Sequence, residues 1–215
     1  MNHINNRDQY SNDFFNRYTV CSFNSVQQAQ LHAINNMFGF PSNVPDELMF
    51  RKPIWSTWAR YKVNINQSLV MQFAQEIIDN GFSNSQIEID DDWETCYGEL
   101  EFSPTKFPDP KGMVDALKQM GYRVTLWVHL FINRNCPLFD EYLSKGYFVK
   151  DQQGNVKTGW WNSNDSAAID MTNSEARTSF FSRLAALKEQ TGLDGYKFDS
   201  GESGYLPQLP DMNVC

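Results

Sequence analysis

From residue 53 onward, apolar positions alternate between short continuous runs and runs at helical spacing. The continuous runs predict four strands, over residues 53–61, 85–93, 122–132 and 193–199. The helix-spaced runs predict three long helices and one weaker short helix, over residues 67–79, 109–120, 174–190 and 136–146, respectively. Strands and helices in this alternation are typical of parallel strands that are joined by right-handed crossovers.

The three long helices have clear end signals and one apolar face each. Asn66 and Asp109 are predicted N-caps, and Gly81, Gly121 and Gly192 follow the three ends. The side chains predicted to point inward are Leu69, Val70, Phe73, Ile77 and Ile78 in the first helix; Met113, Val114, Leu117 and Met120 in the second; and Phe180, Phe181, Leu184 and Leu187 in the third.

The remaining segments are less regular. About twenty polar, Asn-rich residues begin the chain and resemble a tail or the end of a missing element. A short helix is predicted over residues 25–38, followed by a linker with two prolines over residues 39–47. Residues 147–172 form a long excursion, for which we predict a hairpin turn at residues 153–155.

Two architectures fit the alternation, an open doubly wound sheet and an eight-stranded barrel. No glycine-rich phosphate loop follows the first strand, which weakens the nucleotide-binding version of the open sheet. Polar residues instead gather where strands end, as in the active sites of barrels. A complete barrel takes about 250 residues. The fold class predicted here is therefore α/β, a fragment holding about the first four β/α units of a (β/α)₈ TIM barrel.

Composition and charge exclude some classes of function. Apolar residues make up 41% of the chain and aromatic residues 14%, enough for a packed core. The net charge is −8 and no basic patch stands out, which argues against a nucleic-acid partner. No apolar run reaches the roughly 20 residues of a membrane span. Four widely spaced cysteines show no metal-ligand spacing and leave free thiols or one or two disulfides open.

Polar side chains at three predicted strand ends are candidates for chemistry. They are the acidic run at 90–92, His129 with Asn133, and Lys197 with Asp199. Each has a structural interpretation when taken alone, as helix caps, a core imidazole and an ion pair, respectively. Because strand side chains alternate faces, Lys197 and Asp199 are expected to point the same way. Together, at equivalent ends of consecutive strands, these residues predict one site.

From residue 41 to residue 207 the chain resembles glycoside hydrolase family 31, especially its myogenesis-regulating glycosidase group. The stretches that carry the resemblance are "VPDELMFRKPIWSTWARYK", "IEIDDDWE", "FPDPKGMVDALKQMGYRVTLWVHLFIN", "GWWN" and "DGYKFDSGE". The resemblance implies a barrel that follows a β-sandwich domain. Residues 1–50 would be the remnant of that domain with a connecting helix and linker, and residues 51–215 the amino-terminal half of the catalytic barrel.

The resemblance also implies a retaining hydrolase of terminal α-linked sugars, with Asp199 as the nucleophile. Lys197 would keep the pKa of that carboxylate low and bind a sugar hydroxyl. Gly201 is expected to let the backbone turn sharply below the ligand. Asp90 and Asp91 would bind sugar hydroxyls. Further substrate-binding candidates are His129, Trp58, Trp93, Trp127, Trp160 and Trp161, although core packing is the commoner role of each single Trp.

The resemblance favours α-galactose over α-glucose and requires no cofactor or metal. It places the general acid/base on a later strand, beyond residue 215, and Glu202 is a poor substitute because it follows Asp199 by only three residues. Alternatives are an α-glucosidase of this family, an inactive carbohydrate-binding pseudo-enzyme, and a barrel enzyme that holds Mg²⁺ at the acidic run 90–92. The family further suggests the secretory pathway and, for a full-length protein, a homodimer.

Overall fold

The computed structural model describes residues 2–7 and 15–212. The chain divides into two units, with the boundary between Glu47 and Leu48. The strands are β1 (Asn2–Arg7), β2 (Phe15–Val20), β3 (Ile54–Ser56), β4 (Gln86–Ile89), β5 (Arg123–Val128), β6 (Phe131–Asn133), β7 (Thr158–Trp160), β8 (Ser163–Ala168) and β9 (Gly195–Phe198). The α-helices are α1 (Val26–Ala33), α2 (Leu48–Arg51), α3 (Trp58–Tyr61), α4 (Gln67–Asp79), α5 (Pro110–Gln119), α6 (Leu138–Lys145) and α7 (Ser174–Thr191).

The first unit contains an antiparallel pair, β1 and β2, and the helix α1. The polar start of the chain is therefore not a tail in residues 2–7 and 15–20. The predicted helix is present, with the Ser25 hydroxyl accepting a hydrogen bond from the backbone N–H of Gln28. It ends in a π-helical turn, Ile34–Phe38. The assignment of residues 1–50 to a β-sandwich remnant stays a prediction.

The second unit is built on a parallel sheet with the strand order β3-β4-β5-β9. Helices connect these strands, with α4 and α5 between the first three. The four predicted β/α strands are thus confirmed, and the arrangement is a partial α/β barrel. Register places Ser56 beside Glu88, and Trp127 beside Lys197. Because all four strands run the same way, their carboxyl ends share one edge of the sheet.

All four predicted strands are shorter than expected, and for two of them the structure shows where the chain leaves the sheet. The run at 53–61 leaves the sheet at Ser56, whose hydroxyl accepts the N–H of Trp58 and so starts the turn into α3. The run at 122–132 is split between two sheets, because the chain turns at His129. The Nδ1 atom of His129 accepts the N–H of Phe131 and stabilises that turn.

The helices bury most of the predicted side chains, while Leu69, Ile78 and Met120 are half-buried and Phe181 is exposed. The buried helical side chains include Val70, Phe73, Ala74, Ile77, Met113, Val114, Leu117, Phe180, Leu184 and Leu187. The prediction for Phe181 is wrong, since its side chain is 47% exposed. The buried stripe of α7 follows Phe180, Leu184 and Leu187 at helical spacing, which turns position 181 away from the sheet.

The excursion at 147–172 contributes β7 and β8 to a small antiparallel sheet with the order β6-β8-β7. The hairpin turn lies at 161–162, between β7 and β8, and the prediction of a hairpin turn at 153–155 is wrong. A local turn does occur there, because the Asp151 carboxylate accepts the N–H groups of Gln153 and Asn155.

One disulfide, Cys96–Cys136, joins the segment after β4 to the start of α6, with 5.7 Å between the Cα atoms. Cys21 is a free thiol. Across residues 2–7 and 15–212, no helix has the length and apolar character that a membrane span needs.

Candidate active site

A cavity of about 180 Å³ opens where the parallel strands end. Of the predicted site residues, those that line it are Trp58, Asp90, Asp91, Trp127, Trp161, Lys197 and Asp199. The structure adds Ser200, Glu202 and Tyr205 to the lining. The cavity is smaller than the roughly 300–1,000 Å³ of drug-sized sites, so it suits a ligand the size of one sugar ring.

Lys197 and Asp199 lie on the same side of β9, as their spacing predicts. The Lys197 Nζ atom is 3.8 Å from Asp199 Oδ2. Asp199 also accepts the indole N–H of Trp127 at 2.8 Å and the backbone N–H of Ser200 at 2.9 Å. Partial burial opposes ionisation of Asp199, but the two N–H donors and the Lys197 charge lower its pKa below the ordinary value. The carboxylate is therefore ionised, half exposed and available as a nucleophile.

The Lys197 ammonium also binds the carboxyl end of β4. Its Nζ atom is 2.6 Å from Asp90 Oδ2 and 4.0 Å from Glu88 Oε1. Burial disfavours the ammonium charge, but the hydrogen bond to Asp90 and the charges of Glu88, Asp90 and Asp199 raise the pKa of Lys197. One cation thus connects both strand ends across the cavity.

Asp91 is held by groups from two other segments. The hydroxyl of Tyr97 donates to its Oδ1 atom at 2.7 Å, and the indole N–H of Trp161 donates to its Oδ2 atom at 2.9 Å. Burial and the bond to Asp91 raise the pKa of Tyr97, which keeps the phenol protonated as a donor. Trp161 meets Trp58 edge to face, with ring centroids 6.0 Å apart, so the two rings form a wall.

The third aspartate does not join the first two. Asp92 has a left-handed backbone, with φ +69°, and its carboxylate pairs with Lys106. The three aspartates therefore have different partners. Within the part of the chain that the structure describes, no group of three acidic, His or Cys side chains is arranged to hold a metal ion. The geometry gives the magnesium hypothesis no support.

Besides Asp92, four of the side-chain candidates lie outside the cavity lining, namely Trp93, Trp160, His129 and Asn133, whose amide oxygen accepts the indole N–H of Trp160. Trp93 is fully buried and donates its indole N–H to the Trp127 carbonyl, and Trp160 stacks on Phe131 with ring planes 8° apart. His129 is 2% exposed, and its Nε2 atom lies 3.0 Å from Glu94 Oε1. The structural interpretation of these side chains therefore fits their positions better than contact with substrate.

Sequence reasoning overlooked Glu88, which lies below the site. Glu88 is 4% exposed. Its Oε2 atom accepts a hydrogen bond from the Ser56 hydroxyl, and its Oε1 atom has no hydrogen-bond partner among the described residues. Burial and the neighbouring Asp90 carboxylate, partly offset by the bond from Ser56 and the charge of Lys197, raise the pKa of Glu88 to about 8. The signal was available, because Glu88 precedes Asp90 by two residues on a strand and must share its face.

The sharp turn after the nucleophile candidate is made by a residue other than the one predicted. Ser200 has the left-handed conformation, with φ +60°, whereas Gly201 does not. The Ser200 N–H is thereby directed at Asp199 Oδ1. The left-handed conformation strains the backbone of a serine. Such strained residues are commoner at functional sites than elsewhere.

Comparison with known sequences extends over most of the second unit. The glycosyl hydrolases family 31 TIM-barrel domain matches residues 53–213. The chain is 39% identical over 193 residues to the myogenesis-regulating glycosidase of Mus musculus, covering 89% of this chain and 27% of the relative. It is 27% identical over 182 residues to an alpha-xylosidase of Emericella nidulans, covering 83% of this chain and 22% of that protein.

Solved structures show the same fold. A cycloalternan-degrading enzyme from Trueperella pyogenes superposes with a TM-score of 0.68 at 22% identity, covering 85% of this chain and 29% of the other. The chain spans only about a quarter of the length of the two curated relatives.

Proposed function

The chain belongs to glycosyl hydrolase family 31, and from this premise we propose that it carries the nucleophile half of a retaining hydrolase for terminal α-linked sugars. One observation carries the proposal: Lys197 and Asp199 project together into a sugar-sized cavity, 3.8 Å apart, with Asp90 and Asp91 on its other side. An ionised carboxylate is the nucleophile that retaining hydrolysis requires, and a fixed ammonium and hydroxyl acceptors beside it suit the binding of a sugar ring.

In the proposed first step, Asp199 attacks the anomeric carbon C1 of the bound sugar. A bond forms between C1 and the Asp199 carboxylate while the bond from C1 to the leaving oxygen breaks. The electron pair goes to the leaving oxygen, which takes a proton from a general acid. The Trp127 and Ser200 N–H groups hold the carboxylate in place for this attack.

In the second step, water attacks C1 and releases Asp199 again as a carboxylate. Two successive inversions at C1 retain the α configuration. The general acid that gives its proton in the first step would accept the proton of this water. The proposal assigns that role to none of the residues described here, and Glu202 is not chosen because it follows Asp199 by only three residues.

The proposed sugar is α-galactose in preference to α-glucose. Epimers of a sugar differ in the direction of one hydroxyl, and buried carboxylates that accept hydroxyl protons separate such epimers well. Asp90 and Asp91 are 2% and 1% exposed, and protein donors such as Lys197, Tyr97 and Trp161 fix the directions of their oxygens, so only a hydroxyl that meets the remaining lone pairs can bind. The paired aspartates before Trp93, with the later Lys197-x-Asp199, resemble the arrangement in α-galactosidases.

A covalent trap tests the nucleophile separately from the general acid. The protein expressed from its complete coding sequence is incubated with 5-fluoro-α-galactosyl fluoride, whose fluoride leaves without a proton. Intact mass should increase by one fluorosugar, and peptide mapping should place it on Asp199. Asp199→Asn should stay unlabelled, whereas the matched control Asp140→Asn, on an exposed helical surface, should be labelled normally.

The sugar is tested with the matching gluco- and xylo-configured fluorides. Faster labelling by the galacto compound supports the proposed preference. Faster labelling by the gluco or xylo compound overturns the preference and leaves the nucleophile assignment intact. Tight sugar binding without labelling by any of the three would instead support the carbohydrate-binding pseudo-enzyme.

A further inference from the structure

Glu88 lies where a carboxyl group has no obvious use in the proposed chemistry. Glu88 does not line the cavity, and its side chain is only 5% exposed. Ser56 donates to one oxygen, and the other oxygen faces the Lys197 ammonium across 4.0 Å without a hydrogen bond among the described residues. A buried polar atom left in this state is costly and needs an explanation.

The charges around Lys197 show what Glu88 can do. Its own strand contributes Asp90, and β9 contributes Lys197 and Asp199. In register, β3 contributes Ser56 and β5 contributes Thr125, neither of them charged. Three ionised carboxyls around one ammonium carry a net charge of −2, whereas a proton on Glu88 reduces this to −1. The second state costs less in a partly dry site.

We propose that Glu88 is a positioning residue for the nucleophile: protonated, it leaves the Lys197 ammonium to Asp90 and Asp199, and ionised, it draws that ammonium down and away from Asp199. The inference rests on the proposed function. Lys197 already lies almost equally far from Glu88 and Asp199, at 4.0 and 3.8 Å, so a small movement of its long side chain decides between them.

The consequence is a pH limit that comes from neither the nucleophile nor a general acid. Because the pKa of Glu88 is raised to about 8, its carboxyl is neutral at pH 7 and loses its proton above pH 8. The pKa of Lys197 is itself raised, so the ammonium remains charged through this range. The reaction of Asp199 should therefore slow as the pH rises through about 8.

The test is the pH dependence of covalent labelling by the activated α-glycosyl fluoride, between pH 5 and 10. The fluoride needs no general acid, so the alkaline limb reports the groups around Asp199 alone. In the unaltered protein the rate constant for labelling should fall about tenfold above pH 8. This loss is smaller than the roughly 10²–10³-fold fall in kcat that follows removal of one electrostatic donor. Glu88→Gln, which keeps the neutral shape, should label at the normal rate at pH 7 and show no such fall.

Two further variants keep the test sharp. Ser56→Ala removes the bond that lowers the pKa of Glu88, so its alkaline limb should move to higher pH. Glu101→Gln, at an exposed position, should leave the profile unchanged. An unchanged limb in Glu88→Gln and Ser56→Ala, with Asp199 labelled, overturns the positioning role alone. Absence of Asp199 labelling in all variants overturns the proposed function and this inference with it.

Discussion

Two acid–base pairs lie close to Trp127 and differ in one respect. Lys197 and Asp199 are 3.8 Å apart, and their side chains are 41% and 48% exposed. His129 and Glu94 are 3.0 Å apart, and their side chains are 0% and 2% exposed. The first pair opens to a cavity and the second is sealed in the core. Lys197 and Asp199 are therefore accessible to a ligand, whereas His129 and Glu94 serve the packing of the core.

The sealed pair supports the open pair. Glu94 accepts two backbone N–H groups, of Gly98 and Leu100, in addition to bonding His129. The His129 ring packs on the Trp127 ring with centroids 4.9 Å apart. Trp127 in turn donates to the Asp199 carboxylate. A polar residue at a strand end can therefore serve a site without facing it, and only exposure separates the two roles.

The largest expected effect is on the open pair. Asp199→Asn should lower the hydrolysis rate of an aryl α-glycoside by about 10⁴-fold, because an amide cannot form the glycosyl ester. The side chain is about half exposed, so the free energy of unfolding should change by less than ~1 kcal/mol. Steady-state kinetics and a denaturant melt measure the two. Comparable activity in the Asn variant would remove Asp199 from the mechanism.

The sealed pair should behave in the opposite way. Glu94→Ala leaves His129 and two backbone N–H groups without their acceptor, so the free energy of unfolding should fall by about 3–5 kcal/mol. The exposed Glu101→Ala is the matched control and should change it by less than ~0.5 kcal/mol. Denaturant melts at fixed pH provide the measurement. Equal stability of the two variants would contradict the structural role.

The residue between the two pairs should give an intermediate effect. Trp127→Phe keeps a ring against His129 but removes the N–H donor that lowers the pKa of Asp199. That pKa should rise, so the acid limb of a labelling profile extended below pH 5 should move to higher pH, with about tenfold slower labelling at its acid end. Trp55→Phe loses an indole N–H that bonds Ser83, outside the cavity, and should leave the limb in place.

The smallest effect is expected at the cavity wall. Trp161→Phe keeps an aromatic face but loses the N–H bond to Asp91, so KM should rise about three- to tenfold with kcat nearly constant. Steady-state kinetics with the preferred aryl glycoside measures both constants. A fall in kcat at unchanged KM would instead place Trp161 among the groups that act on the transition state.

Much of the fold could be predicted because helix spacing and caps are local signals. The observed bounds of α4 equal the predicted bounds, and those of α5 and α7 differ from the prediction by no more than one residue at either end. The errors have tertiary causes. The run at 122–132 looks continuous, but its two halves pair with different sheets. Phe181 is as apolar as Phe180, and only helix orientation exposes it.

The site could be predicted where strand alternation decides the direction of a side chain. That rule correctly puts Lys197 beside Asp199, and applied to β4 it would also have found Glu88. It cannot distinguish a cavity from a core. His129 and Trp93 follow strands as the acidic run does, yet both are buried, His129 against Trp160 of β7. Burial by distant segments is information that no short stretch of sequence contains.

The hydrogen bond from Trp161 to Asp91 joins two parts of the cavity that come from different sheets. The groups proposed to react lie at the ends of parallel strands, while one wall of the cavity comes from the turn of a separate antiparallel hairpin. Changes in the length or sequence of that turn can therefore reshape what the cavity accepts without disturbing the groups that react. The turn at 161–162 is therefore the place where substitution should alter ligand preference while leaving Lys197 and Asp199 in position.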